Sequence, residues 1–468
     1  MIAPVGARNQ VFRKKPGFFG DVVCPFCGCL CDDLAVEVED NRVVRVRRAC
    51  ANGRGLFTAY DPAPRRPTVD GRQVGWEEAI AEAARILNEA DNPLIFGLSS
   101  TATEAQRKAV ELADRLGATV DTTSSVCHGP TSLAMQAVGE PSCTLGEVRN
   151  RADLLVFWGC NPAVSHARHF ARYSLAPKGT LTPNGRRDRT VVVVDVRPTA
   201  STRAADIFLQ VRPGADFEVL TVLRALVQGK EIDGEWRMAN SEWRMADGER
   251  RYTETVGGVS VVQLRELAER MKTCRFGVAF LGMGLTMSRG RDFNVSELFT
   301  LVAELNQYTR FSVIPMRGHG NVAGADQVLT WQSGYPFAVN FARGYPRYGP
   351  GEFSAVDVLA RGEADAALIL ASDPVAHFPG AAAQRLGNIP TIVLDPAPSL
   401  TTRVARVVFP TACYGVDAAG TFYRMDGVPI RLRPVLPSAR PTDEEVLGDI
   451  LSRLAADDAP APGRVWRF

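Results

Sequence analysis

The sequence predicts an α/β protein of several domains, with parallel sheets covered by helices on both faces and a small cysteine-bearing domain ahead of them. Three observations predict it. Short apolar runs alternate with helical segments along most of the chain. The runs are continuously apolar, as in strands buried on both faces. A length of 468 residues, 46% hydrophobic and 23% charged, is enough for several globular cores of ordinary composition.

The elements follow in order. Residues 34–48, "LAVEVEDNRVVRVRR", alternate in polarity like a hairpin, with Asp40-Asn41 at the turn. Residues 76–91 carry apolar side chains at helical spacing, and "PLIFGL" (93–98) reads as a buried strand. "EAQRKAVELADRLG" (104–117) is a helix closed by Gly117. "TVDTTS" then leads to Cys127. "DLLVFWG" (153–159), "TVVVVDV" (190–196) and "IFLQV" (207–211) are strands, and the rhythm returns at "RFGVAFLG" (275–282), "DAALILAS" (365–372) and "PTIVLDP" (390–396). "EWRMANSEWRMA" (235–246) repeats EWRMA and reads as a duplicated surface insertion. "TDEEVLGDILSRLAA" is a closing helix, and "APAPG" (459–463) a loose tail.

Parallel sheets bind ligands at the carboxyl ends of their strands. Here those ends read "WGCNP" (158–162), "DVRPT" (195–199), "GMGLTMSRGR" (282–291) and "ASDPVAHFP" (371–379). Glycines let backbone approach a ligand, and Asn or Asp side chains hydrogen-bond a base or ribose. Four such ends point to a large, nucleotide-bearing ligand.

A formal net charge of +2 calls for neither nucleic acid nor an anionic membrane. Arg8, Arg13, Lys14 and Lys15, then Arg42, Arg45, Arg47, Arg48 and Arg54, form local basic runs. They suit a solvated face, a docking strip or a positive field beside a redox centre. No apolar run reaches the roughly 18–20 residues of a membrane helix, and the first twenty residues have no secretory pattern. The expected location is the cytoplasm, with the opening ten residues a flexible arm. In that reducing compartment cysteines serve as metal ligands or catalysts.

"CPFCGCLCDD" (24–33) sets Cys24, Cys27 and Cys31 in C-x2-C-x3-C spacing, and Cys50 follows after eighteen residues. Four thiolates so arranged suit a [4Fe–4S] cluster, with Gly28 letting the loop wrap closely and Cys29 spare. Zinc is the rival, since C-x2-C is also a zinc half-site; the second half-site it normally needs is absent, because His166 and His169 have no cysteine pair nearby. Buried structural thiols are the third reading. Further on, "SSVCHGPTS" (124–132) presents Cys127 and His128 in a turn, and "PMRGHGNVAGADQ" (315–327) places Arg317 and His319 in a glycine-rich loop. A cysteine beside a histidine reads as a metal thiolate site, a buried cysteine next to a partly exposed histidine, or a nucleophilic pair. Arginine holds a small carboxylate by a two-pronged contact.

The cysteine motif followed by "WGCNP" resembles the molybdopterin-dependent oxidoreductases. "VVCPFCGCLCDD", "SVCHGP", "WGCNP", "GMGLTMSRG", "PMRGHGNVAG", "QSGYP", "ASDPVAHFP" and "GTFYRMDGVPIR", in that order, resemble the B-subunit family of formylmethanofuran dehydrogenase within them. The resemblance implies molybdenum or tungsten held by two molybdopterin guanine dinucleotides, and one [4Fe–4S] cluster. It implies Cys127 as metal ligand, His128 and Arg317 as catalytic residues, Cys24, Cys27, Cys31 and Cys50 as cluster ligands, and Asn161, Asp195, Gly284 and Asp373 as pterin contacts.

It also implies Rossmann-like sheets without the C-terminal barrel of ordinary formate dehydrogenases. The expected domains are 1–65 for the cluster, 66–125 with 300–400 and 126–299 for the two α/β units, and 401–468 as a C-terminal segment. The implied partners are the other components of a multi-subunit complex: an amidohydrolase-like component, a further component of the same assembly, and a dinucleotide-covering or formyltransferase component. No nucleic acid and no membrane is expected. The implied activity interconverts carbon dioxide and formate. The alternative is a cofactor-less scaffold of a bacterial formyltransferase/hydrolase complex. A generic formate dehydrogenase or nitrate-reductase-like protein fits less well, given the short C-terminus and the "PMRGHGNVAG" block.

Overall fold

The computed structural model describes residues 17–230 and 255–457. The EWRMA duplication, the first sixteen residues with their basic run, and the APAPG tail lie outside that description. Among the described residues no helix is long and apolar enough to cross a membrane.

Residues 34–47 form the expected hairpin, Leu34–Glu39 against Arg42–Arg47, with Asp40 and Asn41 at φ 46° and 61°. Two consecutive positive φ values give the turn whose twist matches paired strands. Gly17–Val22 adds a third antiparallel strand. The cysteine loop leaves this strand and re-enters at Leu34, so the small sheet clamps both of its ends.

Two larger sheets follow, each with a parallel centre. The first is five-stranded, in the order Ile207–Gln210, Thr190–Asp195, Leu154–Trp158, Phe276–Leu281, Arg310–Pro315. Its central strands are apolar along nearly their whole length because both faces are covered: Leu154, Val156 and Trp158 enter one core, Leu155 and Phe157 the other. The second sheet is nine-stranded. Its five central strands, all parallel, run Val407–Phe409, Thr391–Leu394, Ala366–Leu370, Pro93–Gly97, Thr119–Thr122. Short antiparallel strands extend both edges.

These two orders are equivalent strand for strand. In each, three strands run outward from the centre in chain order, and a second segment of chain supplies the remaining two. In the nine-stranded sheet that second segment comes from earlier in the chain, so the sheet is built from two separate stretches of sequence. The boundaries differ from those expected. Arg310–Pro315 pairs with Phe276–Leu281, so the first sheet extends past residue 299. The C-terminal segment is not separate: Val407–Phe409 is a strand of the second sheet, and the helix Asp443–Asp457 adds Val446, Leu447, Ile450 and Leu454 to its core. An edge strand is specified by its neighbours more than by its own sequence, which is why the boundary residues mislead.

Leu447 is fully buried. Leu447→Ala is expected to destabilise the protein by about 2–5 kcal/mol, measured by denaturant unfolding; a loss under about 0.5 kcal/mol, the range of surface changes, would make the last helix an appendage.

Candidate active site

The five cysteines Cys24, Cys27, Cys29, Cys31 and Cys50 line one cavity with Phe26, Leu34, Ala49 and Arg168. Cys50 caps the helix Ala51–Ala59, its sulfur accepting from the Gly53 N–H at 3.4 Å. A Cβ on Gly53 would stand 2.9 Å from the Cys24 sulfur and 3.8 Å from that of Cys50, so the glycine leaves room for both. Across the loop, the Cys24 N–H donates to the Cys31 carbonyl at 2.9 Å. The four expected ligands are thus gathered around one space. Among the described residues no three of His, Cys, Asp or Glu are grouped as a single metal ion requires. Cys29 is fully buried between Cys27 and Cys31, whose thiols it lowers while its own rises.

Arg168 ties this loop to the first α/β unit by a two-pronged contact to Asp33, at 2.6 and 2.8 Å. On its other side the loop rests on the chain after Arg310–Pro315. Cys27 and His319 form a backbone bridge, and the Gly28 N–H donates to the Gly318 carbonyl at 3.3 Å. A Cβ on Gly28 would meet the Arg317 carbonyl oxygen at 2.4 Å, so no other residue allows this approach.

Cys127 and Arg317 follow Thr119–Thr122 and Arg310–Pro315, which are equivalent strands of the two sheets. Between Thr119–Thr122 and Cys127 a single tight turn, Thr123–Val126, lifts the thiol, and the helix Gly129–Val138 begins directly after His128. The Thr286 hydroxyl donates to the Cys127 carbonyl at 2.8 Å, bringing the "GMGLTM" segment alongside. Burial pushes the Cys127 thiol up to about 11, and Arg317 opposes that rise.

His128 is fully buried. Its Nε2 lies 3.3 Å from the Met316 carbonyl oxygen, which can only accept, so Nε2 carries the proton. Nδ1 therefore accepts from the Thr131 hydroxyl at 3.2 Å. Burial first, and Arg317 second, lower its pKa to about 3, leaving a neutral ring. His166 does the same for the next residue, donating from Nε2 to the Arg317 carbonyl at 2.9 Å. The two histidines thereby pin consecutive carbonyls of the arginine loop. Arg317 itself is buried and paired with Asp326.

Asn161 and Asp373 occupy corresponding strand ends and nearly the same backbone conformation, φ/ψ −123°/70° and −118°/68°. The Asn161 Oδ1 accepts from the Ser201 hydroxyl at 2.7 Å and its N–H at 3.2 Å. The Asp373 Oδ1 accepts from the Thr401 hydroxyl at 2.6 Å and its N–H at 2.9 Å. Asp195 and Asp395 are likewise a matched pair, half-buried at the next strand end. Motif reading passes over Ser201, Thr401 and Asp395, yet the signal is in the sequence: "DVRPTASTRAA" from 195 and "DPAPSLTTRVA" from 395 share Asp, Pro, a hydroxyl, Thr, Arg and Ala in one register. Gly284 has a packing role: its N–H donates to the Gly159 carbonyl at 2.9 Å, and a Cβ would stand 2.7 Å from that oxygen.

A family model for molybdopterin oxidoreductases matches residues 61–441. The chain belongs to the molybdopterin oxidoreductase family. Within that family it is 46% identical over 444 residues to the B subunit of the tungsten-containing formylmethanofuran dehydrogenase 2 of Methanocaldococcus jannaschii, covering 93% of this chain and 98% of that one. It groups with those oxidoreductase B subunits. The B subunit of the formyltransferase/hydrolase complex of Methylorubrum extorquens is 25% identical over 391 residues, covering 82% of this chain and 96% of the other. Acetylene hydratase of Pelobacter acetylenicus, a solved structure at 15% identity, shares the fold with a TM-score of 0.66 over 94% of this chain and 69% of its own.

His169 is fully buried in this family member, its ring edge-on to Phe157 and Phe280 and its pKa lowered by burial to about 3. An unfolded histidine titrates near 6.5. A base with a depressed folded pKa gives stability that is complete above the unfolded value and is lost as pH falls toward the folded one. His169→Phe removes this contribution, so wild type should lose up to about 1.4 kcal/mol per pH unit relative to the variant between about pH 6.5 and 3. Parallel pH profiles of unfolding for the two proteins would show instead that His169 titrates normally.

Proposed function

We propose that the chain is the redox component of a formylmethanofuran dehydrogenase-type complex and interconverts carbon dioxide and formate. The observation that carries this reading is the meeting of the Cys127 and Arg317 loops, with the cysteine loop hydrogen-bonded to the second. The residues present fit the family's groups. Cys24, Cys27, Cys31 and Cys50 ring a cavity, as a [4Fe–4S] cluster needs. The matched ends at Asn161 and Asp373, with half-buried Asp195 and Asp395, suit two equivalent nucleotides, and the buried Thr199 hydroxyl beside them has no hydrogen-bond partner among the described residues. When bound, molybdenum or tungsten on two pterin guanine dinucleotides, with Cys127 as protein ligand, supplies two-electron redox chemistry, and the cluster supplies the electrons singly.

The reaction joins carbon dioxide, a proton and two electrons into formate. Arg317 holds and partly neutralises the carboxylate in a buried site, where such electrostatic contacts are strong. His128 stands neutral at rest, with burial the main cause of its low basicity and the Arg317 charge the second; beside the reacting carboxylate it is the ring placed to exchange a proton. The partners this reading calls for are an amidohydrolase-like component, a further component of the assembly and one that covers the dinucleotides, in the cytoplasm.

The scaffold reading, drawn from the formyltransferase/hydrolase relative, rests on 25% identity against 46% for the dehydrogenase, and it leaves the gathered cysteines unexplained. Elemental analysis of the intact, anaerobically isolated complex decides between them: iron with tungsten or molybdenum, or neither. Cys50→Ala should remove the visible absorbance and iron of the cluster; unchanged iron would strike Cys50 from the ligands. Arg317→Lys should keep the metals and cut formate turnover about a hundredfold, because Lys lacks the planar fork. Equal turnover would remove Arg317 from the mechanism.

A further inference from the structure

Asp326 lies on the helix Val322–Ser333 and is 6% exposed. A carboxylate buried to that degree is costly unless it is fully hydrogen-bonded and paired. Its Oδ2 receives Nη1 of Arg317 and the Ser124 hydroxyl, the latter at 2.8 Å. Oδ1 accepts from the Thr122 hydroxyl at 3.0 Å. Ser124 closes the ring, its oxygen accepting from the same Nη1 at 3.2 Å. Thr122 and Ser124 belong to the strand end and turn that present Cys127. One carboxylate therefore grips the arginine from one sheet and the thiol-bearing turn from the other.

The grip is one-sided. Among the described residues, Nη1 makes both side-chain hydrogen bonds of Arg317, and Nε and Nη2 make none. These two nitrogens are one edge of the guanidinium fork, the edge that meets a carboxylate with two parallel bonds. Anchoring Nη1 fixes where that edge points. The negative charge of Asp326 also cancels part of the positive charge that attracts an anion.

Resting on the assignment of Arg317 as the group that holds formate, we propose that Asp326 is a positioning residue, which aims the free edge of Arg317 relative to Cys127 and weakens its hold on the substrate anion. The two effects separate on substitution. Asp326→Asn keeps the shape and removes the charge. The anion is then bound more tightly by a guanidinium that no longer points correctly.

The test uses the intact complex carrying Asp326→Asn, Ser124→Ala, Arg317→Lys, and Asp326→Asn combined with Arg317→Lys. Asp326→Asn should keep wild-type iron and tungsten or molybdenum, lower kcat for formate about a hundredfold, and lower KM at least about threefold. Calorimetry with nitrate, a planar anion probe, should show binding at least about threefold tighter. Ser124→Ala, which leaves the ion pair in place, should lower kcat about tenfold with metals retained; it serves if the Asn variant does not assemble. The double variant should be no slower than Arg317→Lys alone, since both changes act through one guanidinium.

An activity loss that tracks metal loss, with KM and nitrate affinity unchanged, would make Asp326 merely structural. Multiplying losses in the double variant, or wild-type kinetics in Ser124→Ala, would also overturn the proposal. Full formate turnover by Arg317→Lys would instead overturn the assignment of Arg317, and is read without reference to Asp326.

Discussion

The site depends on one contact: the loop after an outer strand of one sheet is bonded to the loop after the equivalent strand of the other. His128 donates to the Met316 carbonyl, and Arg317 donates to the Ser124 hydroxyl. The Cys127 turn is short, and the arginine loop contains Gly318, Gly320 and Asn321 at φ 57°. Each supplies the partners that the other's buried polar groups require. The arrangement is thus set by satisfaction of hydrogen bonds as much as by apolar packing.

The equivalence of the two sheets explains why these loops meet. In both, the third and fourth of the five parallel strands come from different segments of the chain, and the connections at that junction leave in opposite directions. Such a junction opens a crevice at the strands' carboxyl ends. The matched pairs Asn161 with Ser201 and Asp373 with Thr401 sit at this junction in their respective sheets, and Arg317 and Cys127 follow strands two places further along. A pseudo-symmetric pair of strand ends with an asymmetric centre follows from two like units carrying different loops. The asymmetry is chemical as well: the matched strand ends differ by Asn161 against Asp373, and the central loops by a guanidinium against a thiol.

Most of the architecture was legible in the sequence because the buried strands are long apolar runs. "LLVFW", "VVVV" and "ALIL" could be little else, and Gly117 closes its helix at φ 67° as a left-handed cap. What was not legible depends on pairing between distant segments. Nothing local assigns "RFSVIP" to the first sheet, because its partner Phe276–Leu281 and its rival strands look alike. The site residues divide in the same way. Cys24, Cys27 and Cys31 announce themselves by spacing, and Cys127, His128 and Arg317 by their motifs. His166 and Asp326 act through a carbonyl and a guanidinium brought close only by folding, so no spacing reveals them. Ser201, Thr401 and Asp395 lie between these cases, visible once the chain is compared with itself.

The cysteine loop is held against the Cys127 and Arg317 loops from several sides. It is held at its ends by the small antiparallel sheet, at its flank by Asp33 on Arg168, and at its tip by Gly28 and Cys27 on residues 317–319. The flank and the tip touch different parts of the molecule: Arg168 lies just beyond Asn161 and His166, and residues 317–319 lie just beyond Met316. His166 closes that circuit by donating to the Arg317 carbonyl at 2.9 Å. A displacement of the loop therefore strains both anchors at once. A loop anchored on two sides of one histidine holds its place without covalent linkage. Glycine at position 28 is the condition for this, since the Arg317 carbonyl occupies the space a side chain would take. The same carbonyl belongs to the residue whose guanidinium is paired with Asp326, so cysteine loop, arginine and thiol turn meet at one residue.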